Sequence, residues 1–266
     1  MPAIKPFAVL PHALSSITTG NAKTNRPASH LDLFQHPGMR WESAGTTNLW
    51  VRGQFTGTQA VNFVSLMAAN AQAGTTIRVR LGTTQAEVDG TAPYDSGAVT
   101  IINPARTEAS GLYHSHIEIG SVQNASWWRI DIAGHTGDFS ASALVFGLKR
   151  QAGFFYNRDR EFGFEDLGSL EIGRNGIVGD TPGVVLRTLL FRLQWVSDEE
   201  WFTNWEPLGL RNSDGTKRVV YWCFDSDATV RRQAKSYLGF MARDPLLRGN
   251  DFPLWNQMDI QFRAIL

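Results

Sequence analysis

The stretch "YHSHIEIG" (residues 113–120) alternates His114, His116 and Glu118 with Tyr113, Ser115, Ile117 and Ile119. In a strand this spacing puts two imidazoles and a carboxylate on one face, the donor set of a zinc-type site. The same alternation also describes the outer half of an ordinary half-buried strand. Nothing near in sequence orients the imidazoles, so the expectation is that no metal is held there. Carboxylates cluster at Asp198–Glu200 and at Asp225 with Asp227. Paired acids serve glycoside hydrolysis, but the first group follows Ser197 as a helix start and the second follows a strand as a turn. Cys223, the only cysteine, lies in "VVYWCFD" and reads as a buried thiol rather than a nucleophile. No GxxxxGK[ST] or GxSxG segment occurs, and "GRNGIVG" lacks the strand and helix context of a dinucleotide loop, so it reads as a turn. Serine or cysteine hydrolysis is therefore not expected, nor is a bound cofactor.

A second stretch offers recognition rather than catalysis. In "NASWWRIDIAG" (124–134) Trp128, Ile130 and Ile132 share one face of a strand, and Trp127, Arg129 and Asp131 share the other. Trp128 is then core, while Trp127 and Arg129 are candidates for a contact with another surface or a ligand. An indole stacks on sugars, bases and protein surfaces alike. Lys plus Arg and Asp plus Glu are both 25, so no long-range field draws a nucleic acid or an anionic membrane. Arginine dominates the cations, which fits interface ion pairs or a genome-wide composition bias equally.

The elements that position these residues are short strands. "NLWVRGQF", "AVNFVSLMA", "TTIRVRLG", "SWWRIDIAG" and "FSASALVFG" alternate apolar and polar residues between Gly, Asn, Asp, Thr and Pro clusters, the spacing of a β-sandwich. In "TTIRVRLG" Ile77, Val79 and Leu81 face inward and Arg78 and Arg80 outward. A loop-rich lead-in precedes them. The text changes over "LKRQAGFFYNRDREFGFEDLGS", which divides the chain into 1–150, the sandwich, and 151–266, a second β-rich domain. In that domain Ser197 and Glu200 form a capping box, and Pro207 with Gly209 ends one short helix presenting Trp201 and Trp205 as further contact candidates. "KRVVYWCF" and "MDIQFRAI" read as strands, and "DATVRRQAKSYLGFMARD" fits helix or strand. The fold class is all-β. No run approaches a membrane span, and prolines interrupt the first residues where a signal peptide needs apolar continuity.

These residues resemble galactose-binding-like, discoidin-type jelly rolls. Asp32, the "W.S" pair Trp41 and Ser43, the "IRVRL" strand (77–81) and the "WRIDI" strand (128–132) hold the places of that pattern. Together with "FEDLGSLEIGRNGIVG" and the tail "MDIQFRAIL", the chain resembles structural proteins of tailed-phage tail tips, distal tail proteins included. The resemblance implies a virion protein made in the bacterial cytoplasm. It would assemble as a ring of copies and join the tail tube to hub or receptor-binding components, without nucleic-acid binding or membrane insertion. The alternative is a carbohydrate-binding module or adhesin contacting host glycans.

Overall fold

The computed structural model describes residues 6–154, 156–172, 175, 178–212, 215–227, 230–249 and 255–266. Most of "GRNGIVG" lies outside the described residues. The chain divides into two compact units, one of Phe7–Arg150 with Tyr221–Ser236 and Leu266, the other of Gln151–Val220 with Tyr237–Ile265. The segment Tyr221–Ser236 thus returns to the first unit, which a linear division at residue 150 does not provide for.

In the first unit the alternating runs become strands β1 (Phe7–Val9), β2 (Leu14–Thr19), β3 (Trp50–Met67), β4 (Thr76–Gly82), β5 (Ile117–Ala133) and β6 (Ala143–Gly147), with a five-residue helix α1 (Gln85–Asp89) after β4. One sheet runs β6, β3, β5, β4, and β2 joins β3. All these pairings are antiparallel. The long ladder between β3 and β5 carries register shifts between Gln54 and Gln59 and again between Val61 and Phe63. Such irregularities bend a ladder, and the sheet wraps a core that draws on both ends of β3, from Val51 and Phe55 to Val64 and Leu66. Ile77, Val79, Leu81, Trp128, Ile130 and Ile132 are all buried, as the alternation requires. Trp128 faces Gly53 across the ladder, and a Cβ at Gly53 would stand 2.6 Å from its ring. Only glycine lets the indole lie flat there. Asp32, Trp41 and Ser43 tie the lead-in down: Asp32 Oδ1 accepts from Leu14 N (3.3 Å), Trp41 Nε1 donates to Asn21 O (3.1 Å), and Ser43 Oγ accepts from Phe139 N (2.9 Å). The fold is a jelly-roll β-sandwich followed by a second β-rich unit.

That second unit contains β7 (Tyr156–Asp166), β8 (Val185–Val196), β9 (Ser236–Met241) and β10 (Asn256–Ala264) in the order β9, β10, β8, β7. Leu189, Phe191, Leu193, Met258, Ile260 and Phe262 are buried, two sets at period 2. "DATVRRQAKSYLGFMARD" resolves into a 3₁₀ turn at Gln233–Lys235 followed by β9. Among the described residues no helix is long and apolar enough to cross a membrane.

Candidate functional site

The outward residues of three neighbouring strands build one face of the first unit. Register sets Arg52, Arg129 and Arg80 in a row across β3, β5 and β4, flanked by the row Trp50, Asp131, Arg78 and the row Gln54, Trp127, Gly82. Three like charges side by side would oppose pairing. Two carboxylates offset them. Asp131 Oδ2 accepts from Arg80 Nη2 (2.6 Å) and its Oδ1 from Arg129 Nη2 (2.8 Å). Asp89, at the end of α1, accepts from Arg129 Nη1 (2.7 Å) and pairs with Arg52. Thr84 holds that helix in place with a capping box: its hydroxyl accepts from Glu87 N (3.3 Å) while the Glu87 carboxylate accepts from Thr84 N (3.1 Å).

The Trp50 ring lies against the cations, with its centroid 4.8 Å from the Arg129 guanidinium carbon and 5.2 Å from that of Arg52, within cation–π range. Trp127 is half-buried at the end of this array, beside Gln54 and Gly82. Burial pushes the Asp89 carboxyl up, but the Arg129 and Arg52 guanidiniums outweigh it and hold the group below its ordinary value. Burial likewise works against the Arg129 charge, and Asp89 and Asp131 overcome it. Asp89 and Arg129 are thus each held toward the charged form on this face. The face can stack a ring and donate hydrogen bonds.

The structure brings Trp127 and Arg129 together as expected and adds Trp50, Arg52 and Asp89. The signal for Trp50 and Arg52 was present in "NLWVRGQF", where Trp50, Arg52 and Gln54 alternate with apolar residues. Asp89 gave no such signal, because its place depends on how α1 packs. Arg80 points to the outer face yet is only 6 % exposed, held by Asp131 and by a bond from its Nη1 to Asp89 O (3.3 Å).

Strand β5 begins only at Ile117, so His114 and His116 precede the strand expected to align them with Glu118, and all three side chains are already engaged. His114 Nδ1 accepts from Ala68 N (3.0 Å), His116 Nε2 bonds Glu118 Oε1 (2.9 Å), and Lys149 Nζ bonds Glu118 Oε2 (2.6 Å). The outer face expected of His116 is in fact covered, with its ring edge-on to Phe7 and Phe63 at 6.0 and 5.2 Å. Burial lowers its pKa, and the bond from His116 with the Lys149 ammonium takes Glu118 down to about 2. Among the described residues no group of three or more metal-binding side chains converges. Added zinc is accordingly expected to leave the melting temperature unchanged in a thermal-shift titration. A stabilisation that saturates at one equivalent and disappears in His116→Ala would contradict this.

Trp205 requires a correction. It is fully buried, with Nε1 donating to Glu200 Oε1 (2.9 Å), so it is core of the second unit and no contact anchor. Ser197 caps the helical run as expected, its Oγ accepting from Glu200 N (3.1 Å). The Glu200 carboxylate serves Trp205 instead of closing the capping box, and the run widens to a π-type turn over Trp201–Trp205. Trp201 remains half-buried, and the neighbouring Phe202 is exposed. Cys223 is buried and its thiol is pushed up to about 12 by burial, which removes the thiolate a nucleophile needs.

No protein-family model matches the chain, and no curated protein matches it. Solved structures similar to it are sugar-binding β-sandwiches. A chitosan-binding module of a chitosanase/glucanase from Paenibacillus sp. IK-5 is 18 % identical over 50 % of this chain and 96 % of that one, with a TM-score of 0.37. A fucose-binding module of Streptococcus pneumoniae is 11 % identical over 52 % of this chain and 95 % of that one, at 0.39. A fucolectin from striped bass (Morone saxatilis) serum is 9 % identical over 96 % and 97 %, also at 0.39. What those proteins bind is a property of those proteins.

Proposed function

We propose that the chain is a carbohydrate-binding protein with no catalytic centre of its own. The observation that carries this reading is the outer face of the first unit, where the half-buried Trp127 adjoins Gln54 and the guanidinium row on three hydrogen-bonded strands. An indole supplies a stacking plane, amide and guanidinium groups supply directional donors, and a sheet holds both without an ordering cost on binding. The test is a glycan array followed by titration calorimetry of any hit. The parent is expected to bind, and Trp127→Ala to lose at least tenfold in affinity while its melting temperature falls by no more than about 4 °C. A parent that binds no glycan, or a Trp127→Ala variant that binds as the parent does, overturns the reading.

A second reading is a structural protein of a phage tail tip, associating with copies of itself and with tail-tube, hub or receptor-binding components. A specific observation supports it: Phe164, Leu170, Ile172, Val184 and Val185 in the second unit are all more than half exposed. Apolar exposure of this extent, spread over β7, the strand Ser169–Ile172 and the start of β8, marks a surface that another chain covers.

A further inference from the structure

We infer that β7 is a self-complementary edge through which two copies of this chain join their sheets. The inference deepens the assembly reading and rests on it. Among the described residues β7 pairs on one side only, with β8, so it ends the sheet of the second unit. An edge strand presents backbone donors and acceptors ready for another strand, and proteins that stay single cover or blunt such edges. Here the strand carries, between charged residues of both signs, two aromatic rings into solvent: Phe162 is 45 % and Phe164 75 % exposed.

The charge pattern selects the partner. Arg160 opens the continuous register of β7 with β8 and Asp166 closes it, and both share a face with Phe162 and Phe164. Antiparallel pairing of β7 with its own copy about Gly163 sets Arg160 opposite Asp166 of the partner subunit and Phe162 opposite the partner subunit's Phe164. Each contact occurs twice under a two-fold axis, as an isologous interface requires. Opposite charges and aromatic pairs facing each other across strands favour such a ladder. On the other face Glu161 would meet Glu165 of the partner subunit, a carboxylate that Arg263 already offsets at 2.6 Å. Backbone pairing would supply the affinity and these side chains the register.

Light scattering behind size exclusion tests this on the full chain. The parent is expected to run at twice the chain mass or a multiple of it, and Phe164→Glu to halve that mass with unchanged circular dichroism. Arg160→Glu is expected to weaken association, and Arg160→Glu combined with Asp166→Arg to restore it. Asp166 also accepts from Gly168 N (2.8 Å), so circular dichroism and melting of each variant accompany its mass. An oligomer indifferent to Phe164→Glu overturns this interface and leaves self-assembly standing. A parent that is monomeric at every concentration overturns both.

Discussion

Trp128→Ala is expected to destabilise the first unit by about 3–5 kcal/mol, the range for removing a large buried aromatic. Its ring is wholly buried, centred 5.3 Å from that of Phe146, laid over Gly53, and its Nε1 donates to Gln54 O (3.3 Å). Truncation opens a cavity beside Gly53 and removes one of the hydrogen bonds to Gln54 O, leaving that from Ser15 Oγ (3.4 Å). Against a typical net stability of about 5–15 kcal/mol, that loss leaves little margin. Trp127→Ala, one residue away on the outer face, is expected to cost about 1 kcal/mol or less. Urea denaturation of both variants beside the parent gives the comparison. Equal losses at the two positions would mean that the ladder does not separate an inner from an outer face here.

Asp32→Asn is expected to stabilise the protein at pH 8, by up to about 3 kcal/mol, and to add nothing at pH 4. Burial raises the Asp32 carboxyl to about 6 even though Leu14 N donates to it. A carboxyl whose folded pKa exceeds its unfolded value binds its proton more tightly in the fold. Its stabilising contribution is therefore full below about 3.9 and is lost as pH rises through about 6. Two units correspond to about 3 kcal/mol, an upper bound because the group keeps some contact with water. Asparagine keeps an acceptor for Leu14 N and carries no charge to bury. Comparing variant and parent at each pH isolates Asp32 from His116. Burial lowers the pKa of that histidine, so its contribution is present above about 6.5 and lost on acidification, the opposite sense. Urea midpoints across pH 4 to 8 measure the effect. A variant no more stable than the parent at pH 8 would show that the carboxylate is not penalised in the fold.

The sandwich strands and the division of labour between Trp127 and Trp128 were legible in the sequence because strand geometry is local. Successive side chains leave a strand on opposite sides whatever lies beyond it, so "SWWRIDIAG" and "TTIRVRLG" already separate an inner set from an outer one. A glycine opposite a tryptophan is a different matter. Gly53 and Trp128 lie far apart in sequence, and only the β3–β5 register reveals why no side chain fits at 53.

Tertiary structure alone decided which outward residues meet water. Alternation predicts an outward His116, yet Phe7 and Phe63 cover it from strands β1 and β3. Trp205 lies on a helix whose capping was readable, but the apolar side of a short helix is set by the sheet it packs against, and the Glu200 carboxylate inside that contact takes its indole N–H. Arg80 points outward and is enclosed because Asp131 and the end of α1 converge on it. Tyr221–Ser236 returns to the first unit, where Gln233 bonds both the N–H and the carbonyl of His114 at 2.7 Å. Alternation determines the direction in which a side chain leaves its own backbone, whereas its cover comes from chain distant in sequence. Those long-range contacts are set by the packing of the whole fold, and no local pattern encodes them.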